Sequence, residues 1–176
     1  NAFPNTIKLA LSAIAFAWIL GIPIGIISAL KKNTCLDKLF MGVSLMGISM
    51  PTFSIGIILQ YLIAYKLKWL PISGFTTPAH LILPSIVLGW SMAGEISRLI
   101  RTNLIDVIQA DYITTAKAKG KSRMGIVIFH ALKMSILPVI TIMMMQFTSL
   151  LGGALITENI FSIPGIGTLS ISALSN

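Results

Sequence analysis

One short stretch, SMAGEISRLIR, carries the ionisable residues whose spacing comes closest to that of a functional site. Glu95 and Arg98 are three residues apart, so they are neighbours on one face of a helix. A carboxylate within an apolar segment suits a proton relay or a contact with a transported molecule. Pairing with a cation at the end of the segment is the alternative that we favour, because a basic stretch begins at Arg101.

The other reactive side chains do not form a catalytic pattern. His80 and His130 have no carboxylate or cysteine at ligand spacing, and Cys35 is the only cysteine. The phosphate-binding pattern G-x-x-x-x-G-K-[ST] and the nucleophile pattern G-x-S-x-G do not occur. We therefore predict no catalytic, cofactor or metal site in this chain, which would not hydrolyse ATP unaided.

A second polar stretch, TTAKAKGKSR, begins at Thr114 and contains four cations around a single glycine. Residues 112–119 suit a short helix, with Asp111 as its N-cap and Gly120 as its C-terminal break. Ser122 can then cap a second, amphipathic helix.

The small side chains of Ala116 and Ala118 would let the short helix lie deep in a groove of a partner. Lys119 and the neighbouring cations would then meet an acidic rim. Contact with anionic lipid headgroups is the alternative reading of the same charges.

Composition shows what kind of element must position these residues. Of the 176 residues, 55% are hydrophobic and 10% are charged, whereas soluble domains carry about 25% charged residues. The apolar residues form long blocks, which is typical of an integral membrane protein. The net charge of +8 does not indicate a nucleic-acid partner, because the cations stand at the ends of these blocks.

Four apolar segments, at about 6–30, 39–65, 81–100 and 134–157, are long enough to span a membrane as helices. Their lack of period-2 alternation excludes a barrel, so the predicted fold class is an all-α, polytopic helical membrane protein. Pro23 and Pro51 should kink the first and second segments, while Gly21 and Gly25 should let a neighbouring helix approach closely.

The distribution of Lys and Arg predicts the orientation. Nine of them lie in the stretch 31–38 or in 101–133, on the same side, and three lie near the opposite side. Cytoplasmic loops carry the excess of positive charge, so residues 101–133 are predicted to be cytoplasmic and residues 158–176 external.

Two longer stretches, ADYITTAKAKGKSRMGIVIFHALKMSILPV and ITENIFSIPGIGTLSISAL, carry a resemblance to a known family. They are similar to the EAA loop and the E-x-x-F-x-x-P-G-x-G external segment of inner-membrane permease subunits of binding-protein-dependent ABC importers. The subgroup that handles dipeptides, oligopeptides and nickel is the most similar, and Leu137-Pro138 has its spacing. Thr115, Ala116 and Gly120 occupy the motif's two alanines and its glycine, whereas Thr114 replaces its glutamate.

This resemblance implies a type I ABC importer-like transmembrane domain covering residues 1–176. We expect it to be a fragment of a six-span subunit, with one span before Asn1 and one after Asn176. The family's coupling helix docks on an ATPase, which carried over here would involve Asp111, Thr114, Thr115, Ala116, Ala118, Lys119, Gly120 and Ser122.

The implied partners are a second homologous permease, two ATP-binding subunits that hold ATP and Mg, an external substrate-binding protein and membrane lipid. The implied location is the bacterial or archaeal inner membrane. The implied activity is ATP-driven import of peptides or of a related ligand such as nickel or a metal–chelator complex. An ion-gradient-driven secondary transporter or channel that uses Glu95 is the alternative.

Overall fold

The computed structural model describes residues 2–110, 113, 123–127, 131–151 and 154–174. These residues contain helices and no strand. The helices are α1 (Ala2–Leu30), α2 (Cys35–Ser49), α3 (Thr52–Leu59) with a π-helical continuation (Gln60–Lys66), α4 (Ala79–Ile108), α5 (Arg123–Ile126), α6 (Leu132–Leu151), α7 (Leu155–Ile160) and α8 (Ile166–Leu174). The prediction of an all-α fold is therefore confirmed for the described part of the chain.

Three helices, α1, α4 and α6, are long and apolar enough to cross a membrane, and α2 with α3 and its continuation would make a fourth, bent span. Helix α4 continues past residue 100 to Ile108 because Leu104 and Ile108 still pack against the protein. The apolar segment 134–157 is not one helix, since Ala154 between α6 and α7 has non-helical backbone angles, with φ −77° and ψ 53°. Hydropathy therefore locates these segments but misses where the helices end.

Helices α1 and α4 pack together along a stripe of small residues. On α1, Ala13, Ala17, Gly21 and Gly25 recur every four residues and are buried. A Cβ atom added to Gly25 would lie 2.6 Å from the carbonyl oxygen of Ser97 on α4. Close backbone approach of this kind is how small residues hold membrane helices together. The G-x-x-x-G spacing is thus part of the α1–α4 contact.

The two prolines singled out in the sequence have different surroundings. Pro51 lies at the break between α2 and α3, where the chain bends by 102°. Met50 before it is extended, with φ −82° and ψ 131°, as expected of a residue that precedes proline. Pro23, in contrast, lies inside the unbroken helix α1. The second apolar segment is therefore a sharply bent pair of helices.

Buried side chains form three clusters along the length of α1 and α4. Leu9, Val87 and Phe161 belong to the first cluster, and Ile96 and Val139 to the second. The third contains Ala29, Leu104, Ile113, Ile126 and Ala131. These clusters pack α1, α4 and the elements around them into one unit. This unit positions the polar side chains described below.

Candidate functional site

Of the basic segment 111–123, the structure describes only Ile113 and Arg123. The residues expected to dock on a partner lie outside the described part of the chain: Asp111, Thr114, Thr115, Ala116, Ala118, Lys119, Gly120 and Ser122. Ile113 and Ile126, by contrast, are buried together with Ala29 at the end of α1 and Leu104 near the end of α4. The amide of Ile113 also donates a 3.0 Å hydrogen bond to the carbonyl of Ala110.

This anchoring has a mechanical consequence. Ile113 and Ile126 pack with Ala29 of α1 and Leu104 of α4, so displacing either isoleucine would disturb the packing of those helices. A force applied at Ile113 or Ile126 would therefore act on the helix pair α1 and α4.

An ion pair beside this cluster ties α2 to α4. The Nε and Nη2 atoms of Arg101 donate hydrogen bonds of 2.6 and 2.7 Å to the two carboxylate oxygens of Asp37. Asp37 also accepts a 2.8 Å bond from the amide of Asn33, and its own amide donates to the N-cap hydroxyl of Thr34. This two-pronged geometry fixes distance and orientation together. The ion pair joins the first turn of α2 to α4, and the Asn33 amide ties the preceding loop to the same carboxylate.

Sequence reasoning missed this pair. In the sequence, Arg101 indicates only the start of a basic stretch, and Asp37 is the single acid in the lysine-rich KKNTCLDK. A lone acid among cations at a helix start is the signal that could have indicated a structural role for Asp37.

Helix α4 carries an exposed polar face. Glu95, Arg98 and Thr102 are exposed, and their spacings of three and four residues place them on one side of the helix. With Ile48 of α2 and Ile142 of α6 they line a cleft of about 300 Å³. The expected pairing of Glu95 with a cation is wrong for the described residues, where the Gln146 amide of α6 donates a 2.5 Å hydrogen bond to the Glu95 carboxylate.

At the opposite end of the molecule, a buried carboxylate organises the segment after α6. Glu158 is fully buried and accepts a 2.7 Å hydrogen bond from the Thr6 hydroxyl of α1. It also accepts bonds of 2.8 and 3.3 Å from the amides of Gly167 and Thr168 in the first turn of α8. A carboxylate suits a helix N-terminus, where free amides and the helix dipole favour negative charge.

The glycines of the E-x-x-F-x-x-P-G-x-G pattern make room for this carboxylate. A Cβ atom on Gly165 would collide with the carboxylate of Glu158. A Cβ atom on Gly167 would lie 2.6 Å from the Cα atom of Leu155. Phe161 fills the first buried cluster beneath them. The pattern therefore produces a buried contact between α1, α7 and α8. We call this contact, formed by Glu158 with Thr6, Gly167 and Thr168, the buried latch.

Comparison with known proteins supplies the family context of these features. Residues 21–176 match the family described as "Binding-protein-dependent transport system inner membrane component". The glutathione transport system permease protein GsiC of Pectobacterium atrosepticum is 38% identical over 172 residues, covering 98% of this chain and 56% of that protein. GsiC of Escherichia coli K12 is 38% identical over 174 residues, covering 99% and 57%. The chain thus spans a little over half the length of these curated relatives.

A solved structure shares the fold. A chain of the MetNI methionine ABC transporter, captured in inward-facing conformations, superimposes with a TM-score of 0.77 at 15% sequence identity. The match covers 97% of this chain and 77% of that one. At this identity the likeness concerns the fold alone, and it confirms the predicted importer-like transmembrane architecture.

Proposed function

The chain belongs to the binding-protein-dependent transport system inner membrane component family, and from that premise we propose that it is the pore-forming permease subunit of an ATP-driven importer. Family membership confirms the resemblance found in the sequence and the inner-membrane, multi-pass location. It does not favour an ion-gradient-driven transporter built around Glu95.

The proposed ligand is a small peptide. Its support is the 38% identity to glutathione transport permeases, which handle a peptide-like molecule. The nickel or metal–chelator ligand considered from the sequence has no support among these relatives. Specificity would rest mostly with the external substrate-binding protein, and the permease would provide the passage.

The observation that carries the coupling mechanism is the burial of Ile113 and Ile126 against the ends of α1 and α4. We infer that the segment between them, with Ala116, Ala118 and Gly120, is held in a groove of an ATP-binding subunit. Closure of two such subunits on ATP and Mg is a rigid-body motion, which a short helix trapped in a groove can transmit. The glycine-packed pair α1 and α4 would then move as one piece and open the passage on alternate sides.

In this proposal the assembly contains a second homologous permease, two ATP-binding subunits and the external binding protein, all in a lipid bilayer. The permease chain supplies no catalytic group, and ATP and Mg are bound by the partner subunits. Hydrolysis and translocation therefore occur on different polypeptides, and the segment 111–123 is the contact between them.

The coupling role is tested by Gly120→Val in the full-length subunit, expressed with its partners in cells that lack other glutathione importers. We expect uptake of labelled glutathione to be lost while the subunit still inserts, because a β-branched residue opposes a helix-ending turn. Immunoblotting of membranes measures insertion, and co-purification measures retention of the ATP-binding subunits.

Gly42→Val in α2 is the matched control, since a Cβ atom there meets nothing within 4 Å. It should leave uptake unchanged. Normal uptake by Gly120→Val would contradict the coupling role, and failure to co-purify any ATP-binding subunit with the wild type would contradict the importer itself.

A further inference from the structure

The exposed polar face of α4 extends from Thr102, at the level of the ion pair between Asp37 and Arg101, to Glu95 further along the helix. Glu95 precedes Arg101 by six residues, which on a helix places it about 9 Å further from the cytoplasmic ion pair with Asp37. The opposite side of this stretch is packed in the protein, where Ile96 and Ile100 are fully buried. The charged face therefore points away from the core, and Glu95 is its residue furthest from the ion pair.

Such a face is not suited to contact lipid. Ionised side chains in hydrocarbon are costly, and in membrane proteins they face a water-filled cavity or another polar group. The cleft of about 300 Å³ that Glu95, Arg98 and Thr102 line is open, with α2 on one side and α6 on the other. A water-filled passage satisfies these side chains without a further protein contact.

Glu95 and Arg98, the two charged side chains of the cleft, do not form an ion pair with each other. The Arg98 guanidinium has no ion-pair partner among the described residues, where the single ion pair is Arg101 with Asp37. Glu95 accepts a hydrogen bond from the Gln146 amide nitrogen, and the Oε1 atom of that amide is buried with no hydrogen-bond partner in the described part of the chain. One anion and one cation, both on α4, thus line the same cleft.

We propose that this cleft is a contact site for a zwitterionic solute passing through the permease, with Arg98 binding the solute's carboxylate and Glu95 its ammonium group. The inference rests on the proposed transport function and names the groups that touch the solute. A guanidinium binds carboxylate in a fixed, two-pronged geometry, and a carboxylate accepts hydrogen bonds from an ammonium group. A peptide with free termini carries both charges, so it complements the cleft as an anion or cation alone does not.

The test compares Glu95→Gln, Arg98→Gln and Arg98→Lys in the full-length complex reconstituted in proteoliposomes, with glutathione and its binding protein supplied outside. Two quantities are measured together, the import of glutathione and the ATP hydrolysis that the loaded binding protein stimulates. Asp106→Asn is the matched control, because Asp106 is an exposed carboxylate on α4 outside the cleft.

We expect Glu95→Gln and Arg98→Gln to lower import by about tenfold, the effect of losing one hydrogen bond to a charged group. Stimulated ATP hydrolysis should stay within about twofold of the wild type, a difference too small to reflect a lost contact. Arg98→Lys should retain part of the import, and Asp106→Asn should retain all of it.

Three outcomes would overturn the proposal. Unchanged import in both Gln variants would show that the solute does not touch these groups. Loss of the assembled complex, seen as loss of co-purifying permease, would show that the face contacts the second permease subunit. Equal loss of import and hydrolysis in an intact complex would show a role in coupling. Failure of the proposed function is separate, since it would appear as a wild-type complex without ATP-dependent import.

Discussion

The ion pair between Asp37 and Arg101 predicts that removing either partner has an unequal effect on stability. The Asp37 side chain is 3% exposed, whereas that of Arg101 is 23% exposed. Arg101→Met would leave a buried carboxylate whose remaining donor is the amide of Asn33. Asp37→Asn would instead leave a guanidinium that can reach water, beside an amide oxygen that still accepts a hydrogen bond.

The expected difference in stability between the two variants follows from the burial of Asp37 and Arg101. Breaking a buried ion pair from one side costs about 3–5 kcal/mol because the surviving charge is uncompensated. The Asn33 amide still donates to the surviving Asp37 carboxylate and Lys32 still attracts it, so we expect Arg101→Met to lower the free energy of unfolding by about 2–3 kcal/mol. For Asp37→Asn we expect about 1 kcal/mol, the net value of one hydrogen bond. The double variant removes both charges and should be more stable than Arg101→Met alone.

The assay is unfolding of the full-length subunit in mild detergent, followed by heating and by titration with denaturant. Asp106→Asn, a change at an exposed carboxylate on the same helix, serves as the control and should shift neither transition. The reasoning is refuted if Asp37→Asn destabilises as much as Arg101→Met, or if the double variant is less stable than both single variants.

Two further predictions concern packing and the buried latch. Gly25→Val should destabilise the α1–α4 contact by about 1–3 kcal/mol, because the new Cβ atom would lie 2.6 Å from the Ser97 carbonyl, whereas Gly42→Val should have little effect on the same unfolding transition. Glu158→Ala should cost about 2–3 kcal/mol by leaving buried donors unpaired, and Glu158→Gln should cost less because its amide oxygen still accepts. Protease susceptibility of residues 158–174 measures the latch directly, and equal susceptibility of the two Glu158 variants would contradict this account.

Long-range partners were beyond sequence reasoning. Glu158 bonds to Thr6 across 152 positions, and Glu95 bonds to Gln146 across 51. Nothing in the local spacing around Glu95 favours an amide partner over one of the nearby cations. Its partner depends on how α4 and α6 are rotated against each other, which packing of the whole bundle decides.

The bend of the second apolar segment is also only partly predictable from the sequence. Pro51 signals a local disturbance, because proline removes a backbone donor and holds its predecessor extended. Whether the result is a mild kink or a turn of 102° depends on what the following helix packs against. Here α3 rests on the side of α4 and on α7, where Gly56 meets Val87 and Ile160.

The sequence by itself determined the membrane location, the helical class and the family, because hydropathy, charge bias and motif spacing are local properties of the chain. Only the tertiary structure decided that Asp37 and Arg101 form one ion pair, that Glu158 caps α8, and that Glu95 and Arg98 share an open cleft. The physical reason is that hydrogen bonds and salt bridges act over a few ångströms in space, while the residues that make them are separated by dozens of positions along the chain.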